Sequence, residues 1–510
     1  MYKWIPITQP ADFEGLVHIF DGQEEAASTS DSAQIAYDLA GVAKSLAQNI
    51  VPAVAGALVE LSYVDKDYRS TYYHFYAKQG RRYRLDCVRV HLFGEGVSFN
   101  AESTELIGLE PERQPGAPHA PQTYFGFLTL RPTYLTTIGR SVLSHNACLH
   151  ARGSSMVSTH KVHVLGYDLK VAGFPWMSQH TDISVCAHVA CWAILRHYSE
   201  RFRKYREYLT YDVTRLAHEF DRGGIVPSRG LEVSHAERVF AGAGTYPVVV
   251  AIDPAEQNAD VRAHFFRQLL AYVESGFPLF VGIKREHAVA VVGVEWSAPA
   301  LDEVGQVITA GRFAWDMVNS LVTVDDNHFP YIRIRHDREV NEAQRYTLDD
   351  IHVFIAPLAD KIYYPAEAVD GLSRALPLQL EAFFEFPPAG DCLTRYFLTT
   401  VASLRRHMRE NCNEFAPQVL EAMMKLPLTQ FVWVVEYSSH EQWSRSEVAV
   451  RTIVDATANL HEAVPFWAIY DGRSAWVFDR TQGAPVSFPY EQRGPYSRMQ
   501  ANLSSPLAVA

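Results

Sequence analysis

The chain has 510 residues, 48 % hydrophobic and 20 % charged, with a formal net charge of −12. This composition excludes global disorder, and the length exceeds one compact core and corresponds to about three domains. The acidic balance repels a phosphate backbone, and no long Lys/Arg block reverses it locally, so nucleic acid is not an expected partner.

The N-terminus, Met1-Tyr-Lys-Trp-Ile-Pro-Ile-Thr, carries no basic stretch followed by an apolar run and cleavage site. The apolar segment Val51 to Val59 falls far short of the ~18–20 residues that a spanning helix needs. No membrane association and a cytoplasmic location are therefore expected. In residues 1–161 the pattern predicts a helix from Asp31 to Asn49 and strands at Ala57–Val64, Thr71–Tyr76, Tyr83–Phe93 and Tyr124–Leu130, with a Pro-rich surface stretch at 113–122 between the last two. This region reads as α+β without visible chemistry.

Residues 162–365 begin with helices and continue into strands. Apolar residues at three- and four-residue intervals predict helices at Cys186–Glu207, Thr210–Phe220, Glu232–Ala241 and Asp260–Ser275. The basic cluster Arg201 to Arg206 reads as the solvated end of the first of these. Strands are expected at Pro278–Lys284, Ala288–Val294, Val322–Asp325 and Tyr331–Arg335. Helices first and an antiparallel sheet later is an α+β order. In residues 366–510, Leu393–Asn411 resembles a helix and Gln430–Glu436 and Phe466–Tyr470 resemble strands, which makes a third α+β region or an elaboration of the second.

Six cysteines, at 87, 148, 186, 191, 392 and 412, show neither disulfide density nor a Cys-x-x-Cys pair. No metal site and no cofactor are expected. Only Cys186 stands in a setting that suggests reactivity: a loop, Ser178-Gln-His-Thr-Asp-Ile-Ser-Val, turns there into the run Ala187-His-Val-Ala-Cys-Trp-Ala-Ile-Leu. A nucleophilic thiol works as the thiolate, and a helix N-terminus with an imidazolium partner favours that form. Cys191 would lie mid-helix as a core thiol, and His188 as a helix-surface side chain.

His287 opens the run His-Ala-Val-Ala-Val-Val-Gly 101 residues after Cys186, at the mouth of a buried strand, where an imidazole can act as general base. A third group must orient that imidazole. Asp325 ends the strand Leu321-Val-Thr-Val, and Asp326 is the alternative orienter, because neighbouring strand residues alternate faces unless the chain has turned. Gln179, seven residues before Cys186, is placed to offer its amide to an oxyanion together with the Cys186 backbone N–H.

At these residues the chain resembles papain-like cysteine peptidases, and more closely the bacterial peptidases that process bacteriocin leaders. The matching pieces are Phe174-Pro-Trp-Met-Ser-Gln179, Cys186 opening a helix, Gly230-Leu-Glu, Gly276-Phe-Pro-Leu-Phe-Val before His287-Ala-Val-Ala-Val-Val-Gly, and Asp325-Asp-Asn-His-Phe-Pro-Tyr. The resemblance implies Cys186 as nucleophile, His287 as base, Asp325 as orienter and Gln179 as oxyanion donor, within a papain-like domain at 162–365. Ala187-His188 stands where that subgroup usually has Gly-Pro.

The expected activity is hydrolysis of a protein or peptide amide through an acyl-enzyme on Cys186, as a cysteine peptidase or isopeptidase. The alternatives are a transglutaminase-like acyltransferase and a catalytically silent papain-fold binding protein. Loops at 221–229 and 295–311 are candidates for substrate recognition.

Overall fold

The computed structural model describes residues 2–21, 39–78, 83–109, 123–133, 137–179, 186–217, 231–297, 312–336, 346–478, 485–491 and 493–504. Runs of β-branched and aromatic residues supply three main sheets, and every strand pairing in them is antiparallel. Together with the helices this makes the chain α+β.

The first sheet has the order Tyr2–Pro6, Val54–Tyr63, Cys87–Gly94, Tyr124–Arg131, Ser141–Ser144, Tyr167–Trp176, Ser158–Val164, with Thr137–Ile138 beside Tyr124–Arg131. The second has the order Tyr246–Ala251, Ile351–Leu358, Leu279–Ile283, His287–Trp296, Val318–Val324, Ile332–Arg335. The third has the order Leu393–Thr400, Phe431–Ser438, Val450–Asp455, Phe466–Tyr470, Ser474–Phe478, Pro485–Pro489. The expected boundary at 161/162 falls inside the hairpin Ser158–Val164/Tyr167–Trp176 of the first sheet. The one at 365/366 falls where Pro365 caps the helix Ala366–Leu380.

The helix Cys186–Arg201 packs on Ser158–Val164 and Tyr167–Trp176 of the first sheet and on Leu279–Ile283 and His287–Trp296 of the second. Every residue from Ala187 to Tyr198 is buried. A helix held between two sheets must be apolar nearly all round, which is why its sequence shows little amphipathic stripe. The short strand Ser154–Ser155 also reaches the second sheet, beside Gly293 and Val294. A Cβ on Gly293 would stand 2.1 Å from the Ser154 carbonyl oxygen, so only glycine allows this crossing. One continuous apolar core runs from Ile5 to Leu503 and draws on all three sheets.

The third sheet is fastened by buried charges to the helix that precedes Leu279–Ile283 of the second. Arg395 donates to both oxygens of Glu274, the last residue of the helix Ala259–Glu274, at 2.7 to 3.2 Å. It also donates to Glu436 at 2.7 Å, and Arg451 donates to the other oxygen of Glu436 at 2.8 and 2.9 Å.

Three expected elements differ, the first being the helix expected over Cys186–Glu207, which ends at Arg201 and leaves most of the basic cluster Arg201 to Arg206 beyond it. Thr71–Tyr76, expected as a strand, lies mostly in the helix Lys66–His74, because the Asp65 side chain accepts from the Tyr68 N–H at 2.8 Å and caps it. Its aromatic residues suggest a strand by type, but Tyr68 and Thr71 are buried at helical spacing. Leu393–Asn411, expected as one helix, is the strand Leu393–Thr400 followed by the helix Val401–Glu410. Thr400 caps that helix by accepting from the Ser403 N–H at 3.1 Å. The part of the first predicted helix at 31–38, the Pro-rich stretch at 113–122 and the loop at 221–229 lie outside the described residues, as does 298–311 of the other recognition loop.

Candidate active site

The register of the second sheet decides which carboxylate meets His287. Ala290 stands opposite Val324 and Val291 opposite Thr323. Continued by one step, that register places Asp325 opposite Val289, on the same face as His287 and diagonal to it. His287 Nε2 lies 3.1 Å from Asp325 Oδ1. The strand ends at Val324 and the chain turns at Asp326 and Asn327, so Asp326 also stays near the imidazole. The His287 ring nitrogen and the two carboxylates lie within 4.8 Å of one another.

Cys186 is the first residue of its helix and half-buried, at the end where backbone N–H groups lack intrahelical partners. Its sulfur lies near enough to His287 to favour the protonated form of the ring. Because Nε2 addresses Asp325, Nδ1 is the ring nitrogen left for the sulfur. Tyr346 stacks on the imidazole with centroids 5.4 Å apart and an interplanar angle of 19°. Cys191 is sealed in the core, where burial pushes its thiol pKa far up, as the mid-helix position implies. His188, expected on the helix surface, is instead buried, because sheets enclose this helix on both sides.

Burial pulls the His287 pKa down, but the Asp325 carboxylate and then the Cys186 sulfur outweigh it, and the ring is pushed up to about 10. Burial raises Asp325, yet its bond to His287, the cation there and the Asn327 N–H together hold it below the ordinary carboxylate range. Asp326 is raised to about 7 by burial and by the neighbouring Asp325 charge. The pair thus divides into one carboxylate held in its ionised form beside an imidazolium and one whose ionisation is shifted toward neutral pH.

Gln179 comes from the first sheet. Just past the strand Tyr167–Trp176, the Ser178 N–H donates to the Ile138 carbonyl at 2.9 Å, and the Ser178 carbonyl accepts from Arg131 at 2.7 Å. Gln179 then reaches the turn of the second sheet. Its N–H donates to the Asp326 carbonyl at 3.2 Å and its Nε2 to Asn327 Oδ1 at 2.8 Å. The Trp176 indole N–H donates to the Asp325 carbonyl at 2.8 Å and the ring packs on Phe329. Residues 1–161, expected to carry no chemistry, therefore contribute Arg131 and Ile138, which hold the segment that delivers Gln179. Residues 180–185, between Gln179 and Cys186, lie outside the described residues.

All five residues expected from the sequence converge: Cys186, His287, Asp325 and Asp326 around one imidazole, and Gln179 through the same turn. Trp176, Asn327 and Tyr346 also take part in the site. Trp176 and Asn327 stand inside quoted motifs and only their hydrogen bonds mark them, while Tyr346 has no local signal.

His287, Asp325 and Asp326 have the ligand types of a metal site. The same three groups are the ones that surround and charge the imidazole, so a cation there would compete with the proton on His287. Among the described residues no helix is long and apolar enough to cross a membrane. Comparison of the chain with protein-family models, curated proteins and solved structures gives no match.

Proposed function

We propose that the chain is a papain-like cysteine hydrolase, a peptidase or isopeptidase that cleaves a protein or peptide amide through an acyl-enzyme on Cys186. The supporting observation is the contact series of a helix-initial thiol, His287 and Asp325. A helix bearing the thiol, packed on an antiparallel sheet that bears the imidazole, is the arrangement expected of a papain-like catalytic unit.

The Cys186 sulfur attacks the scissile carbonyl, and the carbonyl π electrons move onto oxygen. Gln179 Nε2 and the Cys186 backbone N–H are the donors for that oxyanion. The oxyanion collapses, the C–N bond breaks, and His287 gives its proton to the leaving amine. Neutral His287 then takes a proton from water as hydroxide adds to the thioester, which releases the acid and restores the pair. Asp325 holds the imidazole in place throughout and stabilises its cation. All six cysteines are free thiols, the state that a reducing cytoplasm maintains, and we place the protein there.

An electrophilic thiol probe tests the reading. Selective labelling of Cys186 that His287→Ala suppresses is expected, with hydrolysis abolished in Cys186→Ala. Labelling spread over several cysteines with no dependence on His287 would leave a binding protein. Added primary amine that captures the acyl group in preference to water would move the assignment to acyl transfer.

A further inference from the structure

We propose that Asn327 is a positioning residue that holds the Gln179 amide as a donor to the oxyanion, a role that rests on the reading of the site as a thiol hydrolase. Its side chain stands between two groups of opposite hydrogen-bonding character. Asn327 Nδ2 donates to Asp326 Oδ1 at 3.3 Å, and Asn327 Oδ1 accepts from Gln179 Nε2 at 2.8 Å.

The carboxyl oxygen of Asp326 accepts here, so Asn327 must turn its NH₂ toward it and its oxygen toward Gln179. That oxygen can accept only from an N–H, so Gln179 must turn its own NH₂ toward Asn327. The two amides therefore set each other's orientation. An NH₂ group has two hydrogens, and with one engaged by Asn327 the other remains for an oxyanion. Released from Asn327, the Gln179 amide can turn over and present its own oxygen, which repels the developing negative charge.

Asn327 also binds the orienter, but through its main chain. Its backbone N–H donates to Asp325 Oδ1 at 2.9 Å. Truncation of the side chain therefore separates two functions: the support of Gln179 is lost, and the support of Asp325 and His287 is kept. Asn327 is exposed while Asp325 and Asp326 are buried, so the truncation leaves the core untouched.

The test uses two probes on the full chain. p-Nitrophenyl acetate acylates a thiolate: the S–C bond forms, p-nitrophenolate leaves, and the tetrahedral oxyanion needs a donor. Iodoacetamide alkylates the same sulfur by displacing iodide and forms no oxyanion. Asn327→Ala should slow p-nitrophenolate release about tenfold, less than the loss of an oxyanion donor outright. It should leave the rate and pH dependence of Cys186 alkylation unchanged. In a Gln179→Ala background the same truncation should cost nothing further, because it acts through a group already removed.

Independent, multiplying losses in the double variant would overturn the proposal, as would an equal fall in alkylation. Acylation of Cys186 in the wild-type chain with no effect of Asn327→Ala would overturn this inference alone. Failure of the wild-type chain to acylate Cys186 would overturn the hydrolase reading and the inference with it.

Discussion

Asp325 and Asp326 are adjacent in the chain and both buried, yet their carboxyl groups are driven to opposite sides of the ordinary carboxylate range. Asp325 gains a bonded imidazolium that offsets its burial, whereas Asp326 gains chiefly a negative neighbour. Only Asp325 therefore supplies the charge that keeps His287 protonated and in place. Asp325→Asn should lower the rate of acyl transfer by on the order of 10²–10⁴-fold, the usual worth of a correctly held proton-transfer group. Asp326→Asn removes a contact worth about 1 kcal/mol and should leave the rate within about tenfold. Initial rates on one substrate compare the two, and the reverse order would transfer the orienting role to Asp326.

The raised His287 pKa fixes a sign for the pH dependence. Its folded value of about 10 lies above the ordinary 6.5, so its stabilising contribution is complete below about 6.5 and is lost as pH rises through about 10. The Asp326 carboxyl, raised from 3.8 to about 7, likewise favours the protonated folded state and loses that contribution as pH rises toward 7. Melting temperatures should thus fall as pH rises from 4 to 10 as far as these two groups govern it. Asp326→Asn should flatten the part below pH 7 and raise stability above pH 7 relative to wild type. An unchanged profile in that variant would show that Asp326 is not the group responsible.

Each neighbour of the ring can be removed in turn. NMR titration of the His287 imidazole should give a lower pKa in Cys186→Ala and a still lower one in Asp325→Asn, because the carboxylate is the stronger of the two raising influences. The alkaline limb of the rate profile should lie at lower pH in Asp325→Asn than in the wild-type chain, since His287 must carry a proton to release the leaving amine. A His287 pKa indifferent to Cys186 would place the sulfur out of reach of the ring.

The two cysteines of the site helix should separate cleanly. Cys186→Ala should abolish acyl transfer and leave the melting temperature close to wild type. Cys191→Ala removes a fully buried thiol and should cost about 1–2 kcal/mol of stability while activity persists. Thermal melts with active-site titration distinguish these outcomes, and equal loss of activity in both would put the nucleophile at the wrong cysteine.

How much of this was legible in the sequence depended on the range of the forces involved. Cys186, His287 and Asp325 announce themselves locally, one at a loop-to-helix transition and two at strand ends, and the sheet register brings the last two together. Asn327 and Trp176 act through hydrogen bonds to Gln179 and Asp325, which are fixed only when the first and second sheets meet. The helix Lys66–His74 was hidden because its aromatic residues favour strands by type, and a single capping contact from Asp65 decides against that preference. Leu393–Thr400 was hidden because Arg395, polar in a strand interior, is buried only by virtue of Glu274, 121 residues away. No local pattern encodes such a partner.

That distant ion pair has a consequence for how the chain unfolds. Arg395 bridges Glu274 at the end of the helix Ala259–Glu274 and Glu436 in the third sheet, with all three fully buried. A buried charge stripped of its partner costs about 3–5 kcal/mol, so Arg395→Ala should destabilise the chain by that order. The loss should reach the active site as well, because that helix leads into Leu279–Ile283, whose Ile283 pairs with His287. Urea unfolding followed by tryptophan fluorescence and, in parallel, by exposure of Cys186 to a thiol reagent should give one coincident transition, shifted to lower urea in the variant. Two separated transitions, with Cys186 still protected after the first, would mean that the third sheet is an independent unit and that its buried charges do not support the site.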